Sequence, residues 1–112
     1  MSKYNAQSVY GTLFSMLDKL SENDESYLME NVFNDEFLKN VKENPKKAYE
    51  SLDIVAKSIE DGKDEFKMLD DYKDKIYMMK SMLKEYGNLS ERHERLMSVV
   101  RRLREKQNGN EL

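Results

Sequence analysis

63-KDEFKMLDDYKDKIYMMKSMLKEY-86 is the stretch on which the fold turns. Its large apolar residues fall at Phe66, Leu69, Tyr72, Ile76, Met79, Leu83 and Tyr86. Steps of three and four residues put them on one side of a helix, where alternation would put them on one face of a strand. The spacing therefore predicts one continuous helix over 63–86, about 36 Å long, with an apolar stripe that needs a partner. Met68, Met78 and Met82 would widen that stripe.

The residues that follow offer the partner. Gly87 is placed to close the helix in the left-handed conformation, and 88-NLSE-91 supplies an asparagine cap with a glutamate three residues on. Beyond it Leu89, His93, Leu96, Val100 and Leu103 recur at heptad spacing, which predicts a second helix over 89–107. Folded back about Gly87, the two segments form an antiparallel hairpin, 63–86 against 89–107. Leu103 then falls opposite Tyr72, Leu96 opposite Met79, and Leu89 opposite Tyr86.

Charge follows the same register. Residues 60–74 carry seven acids against three lysines, and 92–106 carry six bases against two glutamates. All five arginines lie in the second segment, where Arg101, Arg102 and Arg104 would stand beside Asp74, Asp71 and Asp70. A planar guanidinium can hold a carboxylate through two bonds, which gives a structural reason for arginine over lysine. Arg92 and Arg95 find no acid across the hairpin, so with His93 they are candidates for an external contact, as are Asp64, Asp70, Asp71 and Asp74 on the acidic side.

Working back toward the N-terminus, every apolar pattern is helical. Ala6–Leu20 reads as a helix capped by Asn5, with Val9, Tyr10, Leu13, Leu17 and Leu20 on one face. Gly11 inside it costs about 1 kcal/mol against alanine unless a neighbouring helix approaches closely there. Two short pieces follow, 24-DESYLMENVF-33 behind Ser21 or Asn23, and 35-DEFLKNVKE-43 behind Asn34. Asn44-Pro45 then starts a helix bearing Tyr49, Leu52, Val55, Ala56 and Ile59, which Gly62 ends. The fold class is all-α: a compact bundle of five or six helices, one domain over 1–107, with 108–112 a frayed tail.

Composition narrows the function. The 112 residues carry a net charge of -3, so the molecule as a whole is not drawn to phosphate backbones or anionic lipid. No cysteine is present, which removes disulfides and thiolate metal sites and fits a reducing, cytoplasmic interior. One histidine cannot build a nitrogen-ligated zinc site alone. No apolar run has the length of a membrane span, and the N-terminus lacks the apolar block of a signal peptide. Fourteen lysines against five arginines, three alanines and abundant Asn, Met and Tyr fit an AT-rich genome, such as many bacterial viruses and low-GC bacteria carry.

No glycine-rich phosphate loop and no nucleophile motif is present. Acid pairs at 22-ENDE-25 and 50-ESLD-53 resemble the paired carboxylates of magnesium-dependent, all-helical nucleotide pyrophosphohydrolases of the MazG kind. Five acid pairs three residues apart occur in the chain, however, and about four are expected at this acid content. The sequence accordingly predicts a non-enzymatic protein–protein interaction module without cofactor or metal. It would be an accessory of a virus or mobile element that binds and inhibits or adapts a host protein with a basic surface, and that can self-associate. A nucleic-acid-binding last helix and a magnesium pyrophosphohydrolase are the alternatives.

Overall fold

The computed structural model describes residues 3–87, residue 99 and residues 102–104. Among these residues the chain is all-helical: α1 (Ala6–Leu17), α2 (Glu22–Asn31), α3 (Asp35–Glu43), α4 (Pro45–Glu60), a 3-10 segment (Asp64–Tyr72) and α5 (Lys73–Tyr86). Four starts and stops follow local chemistry. The Asn5 side chain accepts from the Ser8 backbone while Ser8 returns the bond, a reciprocal cap on α1. Ser21 caps α2 and Asn34 caps α3 in the same one-sided way, each side chain accepting a backbone N–H three residues on.

At the end of α4, Gly62 takes φ 72°, and the N–H groups of Gly62 and Lys63 bond back to Ile59 and Ser58. That is a Schellman closure, and the left-handed residue it needs is the glycine. Asn44 forms the corner between two helices. It serves α3 and α4 at once, with φ −144° and ψ 73°, and makes no side-chain cap bond; Pro45, which has no N–H to satisfy, opens α4.

The predicted single helix over 63–86 is two elements. Residues 64–72 wind as a 3-10 helix and only 73–86 as an α-helix, with the junction at Tyr72. The reason is visible in the stripe itself. Phe66, Leu69 and Tyr72 are three residues apart, the period of a 3-10 helix, whereas from Ile76 onward the steps alternate between three and four. Both halves remain in register with the core, with Leu69, Ile76, Met79 and Leu83 fully buried. Met82 joins them, but Met78 is 44% exposed.

The core runs through α4, which packs against α3, α5 and the 3-10 segment, while α1 packs against α5 and α3. Its buried side chains include Leu13, Leu17, Leu28, Phe33, Phe37, Val41, Leu52 and Val55. Phe33 and Phe37 meet edge to face at 5.3 Å. α1 ends at Leu17, three residues earlier than expected, because a 3-10-type turn through Asp18–Leu20 takes over its last carbonyls. Met29 is 37% exposed, since α2 reaches the core through Leu28 alone.

Most of the expected returning helix, 89–107, lies outside the described residues, as do the turn at Asn88 and the tail 108–112. Gly87 itself is right-handed, with φ −83°, and so does not take the reversing conformation expected of it. Leu103, expected on the hairpin seam against Tyr72, is 60% exposed.

Candidate partner-binding surface

α4 carries different chemistry on its two flanks. Toward α5 it holds a polar cluster. The Lys80 ammonium donates to Asp53 at 2.8 Å, and Lys57, one turn along α4, lies 3.1 Å from the other carboxylate oxygen. Lys80 also sits between the rings of Tyr49 and Tyr77, 5.2 and 5.1 Å from their centres, so its charge is met by a carboxylate and two aromatic faces. The Tyr77 hydroxyl closes the cluster by donating to Glu60.

The Lys80 bond, then the Lys57 bond, hold the Asp53 carboxyl below its ordinary value, while the bond to Glu60 pushes the Tyr77 phenol up. Every charged member has an internal partner, so this flank joins α4 to α5. It also engages Asp53, one of the carboxylates of 50-ESLD-53, with two lysines.

The opposite flank is open. Ile54 stands 66% exposed on α4, the largest exposure of any aliphatic side chain in residues 3–87. It borders a groove of about 500 Å³ between the α2–α3 turn, α3 and α4. Val32, Phe37, Val55 and Phe66 give the groove apolar walls, and Asn31, Asn34, Asn40, Lys47 and Glu50 line its rim. Two rim amides are already engaged: Asn31 donates to the Tyr27 carbonyl, and Asn34 caps α3. Phe66 belongs to the 3-10 segment, so this end of the groove is next in the chain to the exposed acids Asp64 and Glu65.

Asp64, Asp70, Asp71 and Asp74 are all exposed. The ion pairs among the described residues are Lys39–Glu43, Lys57–Asp53 and Lys80–Asp53, and none involves these four. Arg102 and Arg104 are exposed and helical, and neither pairs with Asp70 or Asp71 among the described residues. The expected zipper of arginines on aspartates is thus not formed by the members that are described. Arg92, His93, Arg95 and Arg101 lie outside the described residues.

Two tyrosines fix α3, one groove wall, from behind. Tyr10 of α1 donates to the Leu38 carbonyl at 2.5 Å, and Tyr86 of α5 donates to the Val41 carbonyl. Burial, with Tyr10 nearby, pushes the Tyr86 phenol up to about 12.

Sequence reasoning passed over Ile54 and the Lys80 cluster. Ile54 had a legible signal: it is off the stripe of Tyr49, Leu52, Val55 and Ile59, an aliphatic residue on a face otherwise polar. Comparison with protein-family models, with curated proteins and with solved structures finds no match for this chain.

Proposed function

We propose that this protein is a non-enzymatic interaction module whose groove between α3 and α4 receives an apolar side chain of a protein partner. The observation that carries the reading is Ile54, a branched aliphatic side chain held two-thirds exposed at the edge of a groove with apolar walls. A large apolar group left in water beside a concave apolar surface gains free energy when a partner covers both. The neighbouring acids Asp64 and Glu65, with Asp70, Asp71 and Asp74 further along, favour a partner whose apolar anchor is flanked by lysine or arginine. A basic host protein bound and blocked, or adapted, by an accessory of a virus or mobile element fits this chemistry, and the lysine- and asparagine-rich composition supports that setting.

The test is capture of binding proteins from a bacterial lysate with the wild-type chain and with Ile54→Asp, whose exposed position should leave the helical circular dichroism unchanged. Partners retained by the wild type and lost with Ile54→Asp support the reading. An unchanged set of partners overturns the groove as the contact.

A second reading has its own observation: Arg102 and Arg104 project from a helix without a carboxylate partner among the described residues. An arginine face of this kind can track a phosphate backbone. It predicts oligonucleotide binding that weakens steeply with salt and is reduced by Arg102→Ala with Arg104→Ala. The antiparallel pairing of 63–86 with 89–107 would instead shield these arginines, and a disulfide formed between Asp71→Cys and Arg102→Cys in this cysteine-free chain would favour it.

A further inference from the structure

Residues 64–72 form a 3-10 helix of nine residues, whereas few such runs exceed about four, because their hydrogen bonds are poorer than those of an α-helix. Nothing in the chain forces a boundary between this segment and α5. From Asp64 to Tyr86 there is no glycine or proline, and neither Lys63 nor Tyr72 caps the element it precedes with its side chain. The winding changes at one residue, Tyr72, with φ −114° and ψ 16°. A single α-helix over 64–86 is therefore open to the same sequence.

The two windings differ in what they turn toward the groove. Each residue advances about 120° in a 3-10 helix and about 100° in an α-helix. Counted back from Tyr72, Phe66 is six residues away, so in the 3-10 form it stands in line with Tyr72 and in the α form about 120° from that line. Leu69, three residues away, turns by half as much and remains on the core side. Glu65, seven residues away, comes within about 20° of the line that Phe66 leaves and within about 1.5 Å of its height. Phe66 lines the groove and Glu65 is exposed. Rewinding therefore exchanges a phenyl ring for a carboxylate in the groove wall.

We infer that residues 64–72 are a two-state wall: the 3-10 winding presents Phe66 and admits an apolar anchor, and the α winding presents Glu65 and excludes it. This rests on the reading of the groove as a binding surface. A carboxylate turned toward Val32, Phe37 and Val55 loses water, and the lining already holds Glu36 and Glu50 against one cation, Lys47, which favours the 3-10 form. The better hydrogen bonds of the α form act in the opposite direction. An apolar anchor that binds one form alone shifts the balance toward it, and the winding governs binding in return. The connection allows the change. The α winding shortens the segment by about 4 Å, and the exposed turn 61–63, where a β-carbon on Gly62 would meet no atom within 4 Å, has room to extend.

The chain has no cysteine, so spin labels at Asp64→Cys and Lys84→Cys, both exposed positions, read the winding as a distance. Exchanging the two wall residues, Glu65→Phe with Phe66→Glu, keeps the composition and reverses the preference, so the distance should fall by about 4 Å with the helical circular dichroism retained. Glu65→Leu offers an apolar side chain to either winding and should give two distances about 4 Å apart. An unchanged single distance in either folded variant overturns the inference, and Glu65→Leu decides alone if the exchanged variant does not fold. Nile red, an uncharged apolar dye, then probes the groove. Bridging Lys67→Cys to Asp71→Cys with a linker that spans one α-helical turn should weaken dye binding at least tenfold, whereas bridging Lys67→Cys to Asp70→Cys, which suits the 3-10 winding, should leave it unchanged. Equal dye binding by the two bridged forms overturns the inference while the groove reading stands. Dye binding unmoved by Ile54→Asp overturns the groove reading, and with it the gating role of the wall, whatever the label distances.

Discussion

α4 and α2 show two ways in which a short sequence can hold a helix. α4 buries Ala48, Leu52, Val55, Ala56, Ser58 and Ile59, and three other elements lean on it. α2 buries Leu28 alone and is held mainly by its ends: Ser21 caps it, and Glu22, Asp24 and Glu25 in its first turn suit the positive end of the helix dipole. A helix fixed from the side must unfold with the domain, whereas one fixed at its ends can open by itself. The groove lies between the two regimes, with one wall on α4 and one corner, at Asn31 and Val32, on the α2–α3 turn.

The largest expected effect tests that contrast directly. Leu52→Ala and Leu28→Ala remove the same atoms from fully buried sites. Leu52→Ala should cost about 3–4 kcal/mol in chemical denaturation, and Leu28→Ala about 2 kcal/mol or less, because undocking of α2 caps the loss. Hydrogen exchange should separate them further, with α2 amides exchanging through local opening and α4 amides only through global unfolding. Equal costs with equal protection would remove the distinction.

Next in size is the left-handed end of α4. Gly62→Ala forces a β-carbon onto φ 72° and should destabilise by about 1 kcal/mol, even though the added methyl group meets no other atom. The effect would be pure backbone strain, readable as a lower Tm with unchanged denaturant slope.

Tyr86 comes third. Its phenol is raised from 10 to about 12 in the folded protein, so the folded state holds that proton more tightly. The stability it contributes is complete below pH 10 and disappears as pH climbs from 10 toward 12. Tyr86→Phe should cost about 1 kcal/mol at neutral pH through loss of the bond to Val41, and should flatten this alkaline loss in urea titrations.

The smallest effect belongs to Asp53. Its carboxyl is held below the ordinary 3.8, chiefly by Lys80 and then by Lys57, so its contribution is present above that pH and is lost as pH falls through the lowered value. Asp53→Asn should cost about 1 kcal/mol or less at pH 7, and the difference from wild type should vanish in strong acid.

Much of this architecture was legible in the chain. Asn5, Ser21, Asn34 and Gly62 announced helix boundaries because each supplies a bond or a backbone angle that few other residues can. The change from α to 3-10 winding was also written in the spacing of Phe66, Leu69 and Tyr72, but three-residue steps occur within α-helical stripes too, so only the run of consecutive steps separates the two. The Lys80 cluster was not legible. Asp53 and Lys80 are 27 residues apart, and nothing local says that α4 and α5 cross with these two faces together. For the candidate site, the acids were identifiable as exposed from charge alone, whereas Ile54 became notable only once the walls beside it were known.

The single residue between α3 and α4 sets a rule for how this chain can change length. With Asn44 closing one helix and opening the next, the rotational phase of α3 is locked to that of α4. One residue inserted there would turn α3 by about 100° and swing Phe37 and Val41 out of the interior. Descendants of this sequence can lengthen at 18–21 or 61–63, where turns absorb the change, but the α3–α4 corner admits neither insertion nor deletion.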